Sequence, residues 1–260
     1  MNESERGQLG AHINRQHLSA AQIQGMQREI YSATLQLSRT LDRPNFQQVS
    51  GDDLQRMATL YDQRFFDSQL LKLAIAEGLS FGWSKRLTKN AGKTVTHYPP
   101  GYRSGQRRRF EVVLSAPLLF QTFRDVARPI EVTGLVCKDR LEAMQRVLEH
   151  ELVHLLEMVV WDSSSCDQAR FQRIAARTFG HTRHRHNLIT QRERAAERFK
   201  VRVGSAVQFT FERRVLQGVV NRITRRATVL VLDQQGMLFS DGKRYRKYYV
   251  PLENLRPHSA

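Results

Sequence analysis

Apolar residues recur along the chain at two periods. Between residues 50 and 76, Leu54, Met57, Leu60, Tyr61, Phe65, Leu70 and Leu73 fall mostly at three- and four-residue steps. That spacing predicts a single amphipathic helix, capped by Ser50, favoured by Asp52 and Asp53 in its first turn and broken at Gly78. Leu79, Phe81 and Trp83 then alternate with Ser80, Gly82 and Ser84, the period of a strand with one buried face. Asn90-Ala91-Gly92 is turn chemistry, and residues 94–98 are the expected partner strand. A basic loop containing Pro and Gly follows over 99–109. Phe110, Val112 and Leu114 alternate again as a third strand, and residues 115–119 begin a short helical connection.

The strongest helical stripe is Leu141, Met144, Leu148, Leu152, Leu155, Val159 and Trp161, which predicts a helix over residues 139–161. Residues 162–165 form a loop that can cap the next helix, expected over 167–178 with Phe171, Ile174 and Ala175 inward and Gly180 at its end. Thr190 can cap a last, highly charged helix through Lys200. Upstream, Ile23, Met26, Ile30, Leu35 and Leu37 give a weaker helical pattern over 20–39, ended at Arg43-Pro44. From Val201 the alternation of strands takes over: Val207, Phe209 and Phe211, then 215–223, 227–232 and 245–250, with turn signals at Gln234-Gln235-Gly236 and Ser240-Asp241-Gly242, and a short closing segment over 251–255. Five short strands in about 60 residues predict a small barrel of the SH3 or Tudor type. The expected organisation is therefore α+β: a helical or partly disordered extension over 1–45, a domain of helices and a small antiparallel sheet over 46–200, and the barrel over 201–260.

Composition narrows the class. With 260 residues and 40% hydrophobic content, the chain can bury a sizeable core. No apolar run approaches the roughly 18 residues of a membrane span, and residues 1–10 lack the apolar centre of a signal peptide. Two cysteines, Cys137 and Cys166, give no disulfide framework, so a reducing cytoplasm is expected. The formal charge of +16 points to a polyanionic partner, nucleic acid ahead of a membrane surface. Arg213, Arg214, Arg222, Arg225, Arg226, Lys243, Arg244, Arg246 and Lys247 crowd the last segment, with Tyr245, Tyr248 and Tyr249 among them. Charge with stacking faces is a footprint for nucleic acid, single strands included. The plain alternative is tyrosines in a core and cations merely solvated.

Polar His150, Glu151 and His154 interrupt the longest apolar helix, in the pattern His-Glu-Leu-Val-His. Histidines four apart share a helix face and can meet one Zn2+ at about 2.0–2.1 Å per bond. The intervening glutamate stands beside the metal, where it can take a proton from zinc-bound water. A catalytic zinc usually has three protein ligands and an open position. The candidates for the third are Cys166, Asp167, His181, His184, His186 and Glu157. Cys166 is the expectation, because it begins the helix that folds back and zinc takes thiolate readily. His181, at the far end of that helix, would stand roughly 20 Å from it. Cys137 reads as structural.

Several blocks in order resemble the SprT-like (Spartan-related) zinc metalloprotease family: Leu60-Tyr61-Asp62-Gln63-Arg64-Phe65-Phe66, Trp83-Ser84-Lys85-Arg86-Leu87 with Ala91-Gly92-Lys93-Thr94, Val113-Leu114-Ser115-Ala116-Pro117-Leu118-Leu119, and Leu148 through His154. The likeness spans residues 51–179. It implies a zincin-like endopeptidase with His150 and His154 on the metal and Glu151 as general base, acting on proteins associated with DNA, crosslinked ones included. One position departs from it. Asp167, four residues before Phe171, stands where the family places its third histidine. That departure keeps a second expectation open: a non-catalytic nucleic-acid-binding adaptor whose zinc is structural.

Overall fold

A computed structural model of the chain describes residues 3–101, 103 and 106–258; three positions of the loop expected over 99–109 lie outside the described residues. The chain forms two compact units, one of residues up to 123 with 128–188, the other of 124–127 with residues from 189 onward. The class is mixed α+β.

The first unit runs α1 (Glu3–Arg15), α2 (Ala20–Leu37), α3 (Gly51–Phe65), α4 (Leu70–Glu77), β1 (Leu79–Ser84), β2 (Gly92–His97), β3 (Arg109–Ser115), α5 (Ala116–Gln121), β4 (Ile130–Val132), β5 (Leu135–Cys137), α6 (Arg140–Trp161) and α7 (Ala169–Phe179). α6 lies at its centre. Leu141, Met144, Leu148, Leu152, Leu155 and Val159 are fully buried, and Asp139 caps the helix by accepting the Glu142 N–H at 2.9 Å. A helix apolar on most sides must be covered on most sides. α1 and α2 supply part of that cover, burying Leu9, Ile13, Ile23 and Ile30.

Two expectations about this unit are corrected. The single helix over 50–76 is two helices. Asp67 and Ser68 take left-handed φ values of 53° and 59°, and the Asp62 carboxylate accepts the Leu70 and Leu71 N–H groups that start α4. The small sheet is also not antiparallel throughout. Its order is β1-β3-β2, with β1 parallel to β3 and β2 antiparallel to it, so β1 and β2 are not partners. β3 takes the middle because Phe110, Val112 and Leu114 are its buried residues. Residues 85–108 are long enough to carry the chain between parallel strands. Among the described residues, β2 has one unpaired edge.

The second unit runs α8 (Gln191–Phe199), β6 (Ala206–Phe211), β7 (Arg214–Ile223), β8 (Ala227–Leu238), β9 (Arg244–Val250), a 3-10 turn (Leu252–Asn254) and β10 (Arg256–Pro257). Its strands pair antiparallel in the order β10-β6-β7-β8-β9. No ladder joins β9 to β10 among the described residues, so the sheet is open where a barrel was expected. Val207, Phe209, Val220, Ile223, Val229 and Val250 form its core with Ala195 of α8 and Val201. That packing is why residues 189–200, grouped by sequence with the preceding domain, cluster with this sheet. Among the described residues no helix is long and apolar enough to cross a membrane.

Candidate metal centre

The helical turn between His150 and His154 brings their Nε2 atoms to 3.1 Å of each other. Two ligands of a tetrahedral zinc at 2.0–2.1 Å stand about 3.3 Å apart, so one ion fits between these nitrogens with little movement. Cys166 joins them, the three ligand atoms lying within 4.8 Å of one another. The Phe171 ring packs on both imidazoles, 4.9 Å from His150 and 4.5 Å from His154 between centroids, and closes that side against water.

The tautomer of His154 follows from its neighbours. The Ser164 hydroxyl donates to Glu157 Oε2 at 2.7 Å, so it accepts from His154 Nδ1 at 2.7 Å. Nδ1 therefore carries the hydrogen and Nε2 the lone pair that a metal needs. Arg170 Nε donates to Glu157 Oε1 at 2.6 Å and anchors the chain of contacts. His150 Nδ1 is buried with no hydrogen-bond partner among the described residues. Burial, with the neighbouring histidine charges, brings His150 down to about 3, and burial alone brings His154 to about 4. Both imidazoles are thus neutral at physiological pH, the state that ligates. The Cys166 thiol is pushed up by burial and by nearby carboxylates, and a bound cation would favour its thiolate. Ser164→Ala should weaken zinc affinity by about 10- to 100-fold, read by competition with a chelator, without changing the metal stoichiometry.

Glu151 sits one position round the helix and is 4% exposed. Thr94 of β2 donates through Oγ1 to Glu151 Oε2 at 2.8 Å and to its backbone oxygen at 3.0 Å. Burial raises the carboxyl to about 7 despite that hydrogen bond, near the pKa a base needs at neutral pH. β2 approaches so closely that a Cβ on Gly92 would stand 2.6 Å from Glu151 Oε1 and 2.7 Å from its Cγ. Only glycine fits there. In Gly92→Ala the carboxylate must swing away, and a displacement near 1 Å would cost a catalytic base about 100-fold. Zinc affinity should be unchanged, because both histidines stay in place.

The other ligand candidates are engaged elsewhere. Glu157 faces Ser164 and Arg170. Asp167 pairs with His184 Nε2 at 3.2 Å. His181 is buried against Glu149 at 2.9 Å. His186 has both ring nitrogens in use, with the Lys89 carbonyl and the Leu188 N–H. Cys137 is buried, and burial pushes its thiol up to about 12.

A cleft of about 740 Å³ opens over the three ligands and Glu151, walled by β2 on one side and by His184 to His186 on the other. Thr94, Gly92 and Ser164 were missed in the sequence. Thr94 and Gly92 lie 57 and more residues from Glu151, and nothing local marks them; Ser164 had only its place in a serine run next to Cys166.

The nine basic residues singled out over 213–247 are all exposed. Arg213 is in the β6–β7 turn with φ 63°, Arg225 and Arg226 are at the β7–β8 turn, and Lys243 is at the β8–β9 turn. Arg244 is bonded to the Gly236 carbonyl at 2.9 Å and Arg246 to Asp233 at 2.7 Å. Arg214, Arg222 and Lys247 are exposed on strands. Tyr248 packs against the sheet's core, whereas Tyr249 faces out.

Set against protein-family models, curated proteins and solved structures, the chain matches none of them.

Proposed function

We propose that the protein is a zinc-dependent endopeptidase acting on proteins associated with nucleic acid. One observation carries the reading: two imidazole nitrogens 3.1 Å apart, a thiol within reach and a carboxyl near its neutral point share one cleft beside an unpaired strand edge. His150, His154 and Cys166 would hold the ion. When bound, zinc polarises a peptide carbonyl and makes water a better nucleophile. Glu151, fixed by Thr94, takes the proton of the attacking water and hands it to the leaving amine. The free edge of β2 pairs with an extended substrate through backbone hydrogen bonds, which asks little of substrate sequence. Exposed cations of the second unit, within a chain of charge +16, support recruitment to nucleic acid, DNA above all.

The SprT-like resemblance is part of this proposal, as is a zincin-type first unit. An SH3- or Tudor-like second unit is supported by β10 returning to pair with β6, the first strand of its sheet. The adaptor reading needs a closed site of four protein ligands. Three donors group among the described residues, which supports an open position instead.

The test compares the wild type with Glu151→Gln, each given zinc, a DNA-binding protein and single-stranded DNA or none. Fragments from the wild type alone, and more of them with DNA, are expected. No fragments from either protein would overturn the proposal and favour the adaptor.

A further inference from the structure

Strand register sorts the second unit's side chains between two faces. Along β9, Tyr245, Lys247 and Tyr249 alternate with Arg246 and Tyr248, so the first three share a face. Tyr249 stands opposite Thr228, and Thr228 opposite Arg222. Lys247 stands opposite Leu230, and Leu230 opposite Val219. Arg222, Thr228 and Tyr249 thus form one row across three strands, with Val219, Leu230 and Lys247 in the next. The core residues Val220 and Val229 point the other way. On the outer face Tyr249 is 65% exposed and Val219 43%.

Two features set this face apart. None of the register-paired positions on it, from β6 to β9, is Asp or Glu. Its cations are also uncommitted to carboxylates. The Arg222 side chain forms no hydrogen bond or ion pair among the described residues, and the Lys247 ammonium rests over the Phe239 ring at 5.3 Å. Arg244 and Arg246, by contrast, are tied to Gly236 and Asp233. An apolar face alone would suit another protein. Asp241 at the β8–β9 turn accepts from the Tyr245 hydroxyl at 2.8 Å, at the end of this face; the strand positions themselves, with two available cations and no acid, repel a second copy of so basic a chain and suit an anionic polymer that carries flat apolar groups. A duplex hides the faces of its bases; a single strand presents them.

We propose that this outer sheet face binds single-stranded nucleic acid, with a base stacked on Tyr249 and the adjoining phosphates on Lys247 and Arg222. The proposal deepens the nucleic-acid part of the function proposed above and rests on it, but it needs no proteolysis.

The test is fluorescence anisotropy of the full chain with a labelled oligo-dT and with a duplex of the same length, over a range of salt. Tighter binding of the single strand is expected. Tyr249→Leu keeps apolar area but loses the ring, and should weaken binding roughly tenfold, while Tyr249→Phe should preserve it. Arg222→Ala and Lys247→Ala should each flatten the salt dependence by about 0.7 in log–log slope. Unchanged affinity and slope in Tyr249→Leu, Arg222→Ala and Lys247→Ala would overturn the proposal. So would self-association lost in Tyr249→Leu with oligonucleotide binding intact, which would make the occupant a second copy. These sites are exposed, so loss of fold does not confuse the reading. If the oligonucleotide results hold and no protein is cleaved, only the protease reading falls.

Discussion

Metal-free Glu151→Gln is expected to be more stable than the wild type above pH 7, and equally stable below pH 4.5. Burial raises the carboxyl from 4.5 to about 7 in the folded protein. Between those values the native state holds a proton that the unfolded chain has released. Stability therefore falls as pH rises through this window, and the whole penalty is present above it. At about 1.4 kcal/mol per pKa unit, that penalty is on the order of 3 kcal/mol. Glutamine has nearly the same shape, can still accept from Thr94 and does not ionise. The depressed histidines His150 and His154 act in the opposite sense, lowering stability as pH falls below 6.5, but they do so in both proteins. Thermal melts at pH 4.5 and 8 measure the difference. Added zinc should narrow it, because a cation beside the carboxylate favours the charged form. The same substitution should lower turnover by about 10²- to 10⁴-fold, the usual contribution of a general base. Equal melting of the two proteins at both pH values would show that Glu151 titrates normally.

Glu149→Gln should be strongly destabilising although it lies one residue from His150, a proposed metal ligand. Glu149 is fully buried on the far face of α6. Its Oε1 accepts from Tyr61 at 2.7 Å, Gln27 at 2.9 Å and Arg146 at 2.6 Å, and its Oε2 contacts His181 Nε2 at 2.9 Å. Burial alone would push its pKa up, but Arg146, His181 and Tyr61 together outweigh burial and hold it below the ordinary value. Glutamine removes the charge opposite a largely buried Arg146 and turns an amide toward donors that need an acceptor. Losing one partner of a buried pair is worth about 3–5 kcal/mol. The denaturant midpoint should fall accordingly, and zinc binding measured below that midpoint should be retained. An unmoved midpoint would mean that water reaches this cluster and solvates Arg146.

How legible these features were depended on range along the chain. α6 was read to within a residue because its stripe and its Asp139 cap are local. α5, α7 and α8 were placed on the same grounds, as were His150, Glu151 and His154. The break between α3 and α4 was missed because the apolar spacing runs on across it, and only the Asp62 carboxylate, reaching eight and nine residues forward, reveals the stop. α1 was missed because just Leu9 and Ile13 mark its buried side. The turn Thr133-Gly134 of the β4–β5 hairpin also went unread. Pairing order was the largest loss: alternation identifies a strand but not its neighbours, so β3 between β1 and β2 could not be foreseen. Within the candidate site, the sequence named the residues that the structure brings together, His150, His154 and Cys166 with Glu151, and missed Thr94, Gly92 and Ser164, which pack or hydrogen-bond against them.

The contact between Gly92 and Glu151 also sets where β2 can lie. If the strand slid by one residue, Ala91 or Lys93 would face the carboxylate, and each brings a side chain into space that has none. The glutamate is thus a register pin for the sheet edge, whatever its chemistry. Length changes in the turn before β2 would be taken up in that turn, and the β2 edge would keep its phase relative to Glu151 and the two histidines.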